Sequence, residues 1–339
     1  MIAEKDTYIS GEMAGCLKRY WGYDEFRPWQ EETILSVLNN RDSLTVLPTG
    51  GGKSLCFQLP ALLREGTAVV ISPLISLMKD QVDSLKEMGI AAEYLNSSQA
   101  TDEQRSVIER VRRGEVKLLY ISPERLQGDW TLGLLKAIEV SFFVIDEAHC
   151  ISHWGHDFRE DYRNLSIIKK EFKGIATHAF TATATKEVQG DILGQLRLDN
   201  PLINIASVDR TNLTYRIEMR SEIIHQITGV LKKHPREAGI IYCLRRDDVD
   251  HISTRLNALG FKNLPYHAGM SDQDRHKYQE QFIGEKVDII VATVAFGMGI
   301  DRSDIRFVVR AAMPKSIEHY HQETGRAGRD GLPAHCYMF

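Results

Sequence analysis

The feature that most constrains the fold is a glycine-rich hexapeptide between an apolar strand-like run and an apolar helical run. Residues 49–54 read TGGGKS, follow the run 44–47 and precede the segment Leu55–Leu63. Three glycines allow a tight turn whose backbone N–H groups point at phosphate oxygens, and the N-terminus of the following helix adds a favourable dipole. Strand, glycine turn and helix in this order predict a phosphate-binding loop in a parallel α/β sheet.

Each residue of this loop has an expected role in holding a nucleotide. We expect the Lys53 ammonium to reach the β- and γ-phosphates and the Ser54 hydroxyl to hold Mg²⁺. The fuller GxxxxGK[ST] pattern is incomplete, because Leu47 stands where its first glycine would be. The predicted nucleotide ligands in the loop are Thr49, Gly50, Gly51, Gly52, Lys53 and Ser54.

A second chemical signal is a pair of acids after another buried strand. Asp146 and Glu147 follow the apolar run 142–145. A carboxylate at the carboxyl end of a strand, in the same sheet as a phosphate-binding loop, lies where Mg²⁺ needs a ligand. We therefore assign Asp146 to the metal and Glu147 to the base that orients and deprotonates the attacking water.

The rest of the chain alternates short Val- and Ile-rich runs with amphipathic helical segments, and the pattern occurs twice. This predicts an α/β protein with two tandem domains built on mainly parallel, doubly wound sheets. We place the domains at 1–206 and 207–339, with the linker near 207–212, because residues 199–212 lack helical periodicity. The first domain carries 23 basic and 29 acidic side chains and the second 19 and 17.

Composition excludes several classes of protein. The chain has 339 residues, 43% hydrophobic and 26% charged, which is ordinary for a globular protein of about two domains. No apolar run is long enough to span a membrane. The five cysteines lie far apart, which argues against a zinc cluster or a disulfide scaffold and favours a reducing compartment. The net charge of −4 argues mildly against nucleic acid as a partner.

The longer motifs carry a resemblance to a known family. TGGGKS, the DEAH at 146–149, FTATAT at 180–185 and QETGRAGR at 322–329 resemble motifs I, II, III and VI of superfamily-2 helicases. The chain resembles more narrowly the RecQ family of DNA helicases. The specific marks are GY at 22–23 with FRPWQ at 26–30, CISHWGHDFR at 150–159 and ATVAFGMGID at 292–301.

This resemblance implies a fold, an activity and partners. It implies two RecA-like domains with ATP and Mg²⁺ bound between them. It also implies 3′-to-5′ translocation on single-stranded DNA with duplex unwinding, in DNA repair and recombination. The expected partners are single-stranded DNA and 3′-tailed duplexes, with no membrane, for a monomer in the nucleoid region of a bacterial cytoplasm or in a eukaryotic nucleus. Members of this family commonly continue into zinc-binding and winged-helix modules. This sequence has no four-cysteine cluster, so we expect no zinc in it and interpret the chain as either cut at the helicase core or a minimal natural form.

The segment ahead of the loop is expected to bind the base. By resemblance Gln30 recognises adenine, since its amide offers a donor and an acceptor, and Tyr23 and Arg27 stack on or flank the base. We interpret Trp29 as an ordinary core aromatic residue.

The segment after the acidic pair is expected to report bound DNA to the hydrolytic residues. Aromatic faces stack on unpaired bases whatever their sequence, and arginine adds charge. His149 either links the phosphate site to the other domain or is a satisfied polar residue. The threonines at the end of the next strand either bridge two sites by hydrogen bonds or are ordinary strand residues. The predicted coupling residues are His149, Trp154, His156, Phe158, Arg159, Thr181 and Thr183.

In the second domain the arginines of 322–329 are the main candidates. We assign Arg329 as the arginine finger and Arg326 as a second γ-phosphate or coupling contact, on one face with it if the segment is helical. Gln322 is placed near the phosphate or water, Asp301 near the nucleotide and Thr293 on DNA phosphates. The departures Arg245 and Arg310 add positive charge, which suits phosphate binding.

The sequence leaves three hypotheses about the function open. A RecQ-type DNA helicase leads, including the version that is a DNA-dependent ATPase with weak unwinding. An RNA-directed DEAH-type ATPase is the second, and a nucleotide-gated DNA clamp without useful turnover is the third.

Overall fold

The chain divides into two compact units, Met1–Val208 and Asp209–Phe339. The computed structural model describes residues 2–96, 99–155, 157–207, 209–294, 296 and 302–339, with the side chains of 2–9 and 76 left out. The division lies two residues beyond the boundary that we placed at 206/207.

The first unit is built on one seven-stranded sheet in which every described strand pair is parallel. The strand order across the sheet is β3-β4-β2-β5-β6-β1-β7. The strands are β1 Ser43–Val46, β2 Thr67–Ile71, β3 Ala92–Leu95, β4 Leu118–Ile121, β5 Val140–Ile145, β6 Thr177–Thr181 and β7 Leu202–Ile205.

Helices connect these strands and cover both faces of the sheet. Short 3₁₀ turns lie at Ala148–Ile151 and Asn164–Ser166. The α-helices are α1 Ile2–Trp21, α2 Gln30–Leu38, α3 Leu55–Leu63, α4 Ile75–Glu87, α5 Thr101–Arg112, α6 Pro123–Leu126, α7 Asp129–Lys136, α8 Glu160–Arg163, α9 Ile167–Glu171 and α10 Lys186–Leu196.

Strand β5 shows why these short apolar runs form buried parallel strands. All six of its residues are buried. Phe143 and Ile145 enter the hydrophobic core on one face, whereas Phe142 and Val144 enter the core on the other. Since successive side chains of a strand point to opposite faces, a strand covered on both sides is predominantly apolar, and Ser141 is the one polar residue of β5.

The second unit repeats the arrangement with six parallel strands in the order β10-β11-β9-β12-β13-β8. Its helices are α11 Ile223–Lys233, α12 Arg246–Ala258, α13 Asp272–Ile283 and α14 Ile317–Thr324. Its strands are β8 Leu213–Ile217, β9 Ala238–Tyr242, β10 Leu264–Tyr266, β11 Ile289–Ala292, β12 Ile305–Arg310 and β13 Ala334–Met338.

The predicted fold class is confirmed: both units are α/β with parallel sheets. One strand was not predicted from the sequence. Strand β7 lies ahead of the predicted linker 207–212, in residues that lack helical periodicity, and pairs with β1 at the edge of the first sheet. Its alternate residues Ile203 and Ile205 are about half exposed, and a four-residue edge strand of this kind carries too short a pattern to be recognised in the sequence.

No helix in the described part of the chain is long and apolar enough to cross a membrane.

Candidate functional site

Strand register brings the main candidate residues of the first unit to one edge of its sheet. Strands β5, β6 and β1 are neighbours, with Ile145 opposite Ala179 and Val46 opposite Thr181. Because parallel strands end at the same edge, the glycine loop after β1, Asp146 after β5 and Thr181 at the end of β6 lie together. The N–H of Leu47 bonds the Thr181 carbonyl at 3.1 Å and extends this pairing into the loop.

The glycine loop has a backbone that other residues would strain. Gly50 and Gly52 have φ of 81° and 79°, in the left-handed region that favours glycine. A Cβ on Gly51 would approach the Pro48 carbonyl oxygen to 2.9 Å. The loop therefore forms a tight cradle of the kind that binds phosphate with backbone N–H groups.

Two residues of the segment ahead of the loop hold this cradle from outside. The Arg27 guanidinium donates to the Gly50 carbonyl. Gln30 is buried, accepts from the Arg27 N–H at 2.8 Å, and its amide nitrogen lies 3.4 Å from the carbonyls of Gly51 and Gly52. Both ends of the Gln30 amide are thus engaged by the chain itself, so recognition of adenine through that amide requires it to change partners.

Two aromatic residues of this segment, Tyr23 and Trp29, are exposed. Tyr23 is 55% exposed, as expected for a residue that flanks a base. The interpretation of Trp29 as a core residue is wrong: it is 45% exposed, with a left-handed backbone (φ 73°), and lines a shallow surface pocket with Phe26 and Arg27. Its left-handed backbone immediately precedes α2. Apolar character alone did not reveal this, because an aromatic residue beside a ligand site and one in a core look the same in sequence.

Lys53, Ser54 and Asp146 have the donor set that a nucleotide with a divalent cation requires. The Lys53 ammonium donates to the Leu47 carbonyl at 3.2 Å. Ser54 precedes α3 and makes no side-chain capping bond to it. Burial, and next the charge of Glu147, raise the pKa of Asp146 to about 7, while Lys53 opposes the shift. A carboxylate buried at this cost, with a lysine near it, fits a cation and phosphate site.

Backbone strain lies directly at Glu147. Its φ of 48° and ψ of 45° are left-handed, which costs a non-glycine residue about 1–2 kcal/mol. The strand pairing continues through the Asp146 N–H to the Ile71 carbonyl at 2.9 Å, and the turn starts one residue later. The Asp146 carboxylate accepts from the Glu147 N–H at 3.0 Å and stabilises this turn.

His149 joins the acidic turn to the end of β6. It is buried, with Nδ1 at 2.8 Å from the Thr181 hydroxyl and 3.3 Å from the Glu147 carboxylate. Thr181 donates its only proton to the Thr183 carbonyl at 3.0 Å, so the hydrogen-bond network assigns the proton of the imidazole to Nδ1. His149 thus contacts Glu147 and Thr181 within the first unit, and a link from it to the other domain stays a prediction.

The aromatic segment follows this histidine closely. Trp154 is 78% exposed, and its N–H bonds the Ser152 hydroxyl at 3.2 Å. His153 and Phe158 stack with ring centroids 3.7 Å apart. A Cβ on Gly155 would collide with the His149 carbonyl oxygen, so only glycine allows the loop to approach this closely. His156 lies outside the described residues.

Arg159 is anchored within the unit. Its guanidinium donates to the Pro73 carbonyl at 2.7 Å and to the Asp157 carboxylate at 3.3 Å. The end of the aromatic segment is thereby attached to the loop after β2, and a direct contact of Arg159 with DNA stays a prediction.

In the second unit the predicted arginines lie in a turn. Helix α14 ends at Thr324, so the condition under which Arg326 and Arg329 would share a helical face is not met. Two glycines in the next four residues favour a turn over a helix. Arg326 is buried and bonds the Tyr242 hydroxyl, which donates to the Phe296 carbonyl at 2.9 Å. Burial raises the pKa of Tyr242 to about 12, against the charge of Arg326.

The interpretation of Arg310 as phosphate-binding charge is also wrong. The side chain is 1% exposed, bonds the Ala312 carbonyl at 2.9 Å and pairs with Glu323 at 3.0 Å. Burial raises the pKa of Glu323 to about 7, with Arg310 opposing the shift. Arg245, by contrast, is exposed.

The remaining candidates of the second unit are partly described. Thr293 is buried directly after β11, and its N–H bonds the Tyr266 carbonyl at 3.1 Å. Gln322 lies in α14 and is half-buried. Asp301 lies outside the described residues.

Sequence reasoning missed residues that act on the backbone of the site. The Tyr162 hydroxyl donates to the Asp146 carbonyl at 3.0 Å from a fully buried position. Arg210 and Asn212 bond carbonyls of the turn that carries the arginines. Neither contact has a pattern in the sequence, because the partners are backbone atoms far away along the chain.

Comparison with known protein families matches both units. Residues 27–190 match the family model described as DEAD/DEAH box helicase, and residues 219–331 match the helicase conserved C-terminal domain.

Curated relatives match nearly the whole chain. The "ATP-dependent DNA helicase RecQ" of Haemophilus influenzae is 46% identical over all of this chain and 54% of its own length. The protein of the same name from Bacillus subtilis is 45% identical over 95% of this chain and 55% of its own. The chain therefore spans about half the length of these relatives.

Solved structures support the fold. The DEAD-box helicase Mss116, solved with single-stranded RNA and UDP-BeF, matches 97% of this chain and 72% of its own, with a TM-score of 0.79 at 18% identity. At that identity the likeness shows the fold alone.

Proposed function

We propose that this chain, which belongs to the RecQ family of DNA helicases, is an ATP-driven motor that moves 3′ to 5′ along single-stranded DNA and separates duplex strands. The relatives that are 45% and 46% identical over the aligned residues are named as ATP-dependent DNA helicases. Since the chain spans about half of their length, the activity of the core itself rests on the residues described above.

The first unit offers the residues to hold the nucleotide and its cation. The glycine loop 50–52 and Lys53 would hold the phosphates, and Ser54 with Asp146 would hold Mg²⁺. Arg27 and Gln30 contact the loop and, with Tyr23, would hold the nucleobase. The cation, when bound, neutralises phosphate charge and fixes the γ-phosphate for attack by water.

Glu147 would receive the proton of the attacking water. Its backbone is strained and its carboxylate lies 3.3 Å from His149 Nδ1, so its orientation is set by the turn and by the histidine. Arg329 would stabilise the charge on the transferring phosphoryl group, with Arg326 and Gln322 beside it in the same segment. An arginine in this role contributes about 10³- to 10⁵-fold in rate.

The observation that carries the proposal is the short chain of hydrogen bonds between the exposed Trp154 and Glu147, the proposed general base. From Trp154 the hydrogen bonds run through the Ser152 hydroxyl, and the Ser152 N–H bonds the His149 carbonyl at 3.2 Å. His149 contacts both Glu147 and Thr181. A nucleobase stacked on Trp154 would therefore bias the position of Glu147. Phe158 and His156 in the same segment, and Thr183 next to Thr181, are proposed to take part in this coupling.

The second unit is proposed to bind the phosphates of the DNA strand, through backbone N–H groups, Thr293 and exposed basic side chains such as Arg245. Asp301 is proposed to approach the nucleotide. We propose a monomer that acts in the bacterial cytoplasm at the nucleoid or in a eukaryotic nucleus, and a sedimentation measurement with and without DNA checks the oligomeric state.

Unwinding assays test the proposal. A duplex with a 3′ single-stranded tail should be unwound faster than the same duplex with a 5′ tail, only with ATP and Mg²⁺. Equal unwinding of both would refute the polarity. DNA-stimulated ATP hydrolysis without unwinding of either duplex would indicate that the chain is a DNA-dependent ATPase and not a helicase.

The two competing functions give different results. Hydrolysis stimulated by single-stranded RNA as strongly as by DNA would favour the RNA-directed ATPase. A wild-type protein that binds DNA tightly with ATP but hydrolyses ATP no faster than Lys53→Ala would favour the clamp.

A further inference from the structure

The turn 325–328, which carries Arg326 and leads to Arg329, has carbonyl groups that need partners. The turn is buried, and helix α14 ends just before it. The carbonyls beyond a helix end have no intrahelical partner, and a buried carbonyl without one is costly. Partners for Gly325, Ala327 and Gly328 must therefore come from elsewhere in the fold.

Two residues at the start of the second unit supply them. The Arg210 guanidinium donates to the carbonyls of Gly328 at 2.6 Å, Ala327 at 3.1 Å and Gly325 at 3.5 Å. The Asn212 amide donates to the carbonyls of Gly328 and Leu332, both at 2.9 Å. Arg210 Nε also donates to Asn212 Oδ1 at 3.2 Å, so the two side chains act as one unit.

This arrangement is specific in shape as well as in charge. Gly328 has a left-handed backbone (φ 55°), and a Cβ there would approach the Asn212 nitrogen to 2.5 Å. The planar guanidinium reaches three carbonyls that one ammonium group cannot span, and its charge faces the C-terminal end of α14, where the helix dipole favours a cation.

We propose that Arg210 and Asn212 are positioning residues for the arginine turn: they hold the backbone on both sides of Arg326 and one residue before Arg329. The proposal rests on the function proposed above. Arg210 is the second residue of the second unit, and β8 begins at Leu213. The segment through which the chain enters the second unit is thus bonded to the turn that carries its arginines.

The variants Arg210→Lys and Asn212→Asp test this role. Lysine keeps the charge but loses the fork, whereas aspartate keeps the acceptor for Arg210 and loses the donor to two carbonyls. We expect each to lower kcat for DNA-stimulated ATP hydrolysis about 10- to 100-fold, as for a displacement of about 1 Å, with KM for ATP within about twofold of wild type. The control Arg255→Gln changes an exposed arginine of α12 and should leave kcat unchanged.

A double-variant cycle shows whether Arg210 acts through the finger. If it does, Arg210→Lys should cost little more once Arg329→Ala has removed the guanidinium. Hydrogen exchange should independently become faster in Arg210→Lys for the amides of 325–331, where the Gly328 N–H bonds the Ile305 carbonyl, and stay unchanged for β9.

Each outcome decides the matter. Wild-type kcat in both variants, full additivity with Arg329→Ala, or unchanged exchange at 325–331 would overturn the positioning role while the helicase function stands. No DNA-stimulated hydrolysis by the wild-type protein would overturn both. A loss of kcat in Arg210→Lys and Asn212→Asp but not in Arg255→Gln, with faster exchange at 325–331, would support the positioning role.

Discussion

Removal of Arg310 is the perturbation whose cost the structure defines most clearly. The Arg310 and Glu323 side chains are 1% and 6% exposed, and their ion pair is 3.0 Å long. An apolar replacement of similar size, Arg310→Met, leaves the Glu323 carboxylate buried without its partner. Breaking a buried pair from one side costs about 3–5 kcal/mol while the remaining group stays charged. Near pH 7 protonation of Glu323 reduces this cost, and Arg326 still favours the charged carboxylate, so the loss should grow as the pH rises.

The loss should depend on pH in a direction that the pKa of Glu323 fixes. That pKa is about 7 in the folded protein and 4.5 for an ordinary glutamate. Between these values the unfolded chain has lost the proton and the folded one keeps it, so wild-type stability falls as pH rises and then levels off. Without Arg310 the folded pKa rises further, so the variant should go on losing about 1.4 kcal/mol per pH unit above pH 7.

The assay must report on the second unit, since all four tryptophans lie in the first. Hydrogen exchange of the β12 amides gives the local free energy of opening at pH 7 and at pH 8. The double variant Arg310→Met with Glu323→Leu removes the stranded charge and should recover most of the loss. An Arg310→Met protein within about 1 kcal/mol of wild type at both pH values would refute the reasoning.

Three further predictions concern coupling in the first unit, each measured as ATP hydrolysis with and without single-stranded DNA. Trp154→Ala should keep basal hydrolysis and lose most of the stimulation, whereas the control Trp130→Ala should keep both; equal stimulation in the two would contradict the coupling role. Gly155→Ala should lose stimulation about tenfold, because a Cβ would collide with the His149 carbonyl and displace the loop, while Gly190→Ala, with open space around it, should match wild type. Thr181→Val removes the hydroxyl that accepts from His149 and should lower the stimulated kcat more than it raises KM; a Thr181→Ser protein that fails to recover would argue against the hydrogen bond.

The parts of the fold predicted from sequence are those that depend on local patterns. Helix α3 has the predicted bounds, because a glycine loop followed by an apolar helical run can be recognised from local sequence alone. The edge strand β7 was not predicted, because its pairing with β1 depends on a partner more than 150 residues away.

The site shows the same limit. Spacing placed Lys53, Asp146 and Glu147 at one sheet edge, since strand ends follow from the order of motifs. The burial of Arg310 against Glu323 and the exposure of Trp29 depend on tertiary packing, and residue type alone favoured the opposite interpretation in both cases. The Arg210 contacts are made to backbone carbonyls, which every residue has, so no residue pattern marks them.

The net charge of −4, which argued mildly against nucleic acid, has little weight beside these contacts. Affinity for single strands depends on local stacking and on charge that faces phosphates. Trp154 provides an exposed stacking face whatever the total charge.

Steady-state ATP hydrolysis by wild-type protein and Lys53→Ala, each with and without single-stranded DNA, tests the central claim most directly. We expect DNA to raise the wild-type rate at least about tenfold, and Lys53→Ala to hydrolyse almost no ATP in either condition, because the phosphates lose their lysine. A wild-type rate that DNA leaves unchanged, or one no higher than that of Lys53→Ala with DNA present, would contradict the claim that this chain is a DNA-stimulated ATP hydrolase.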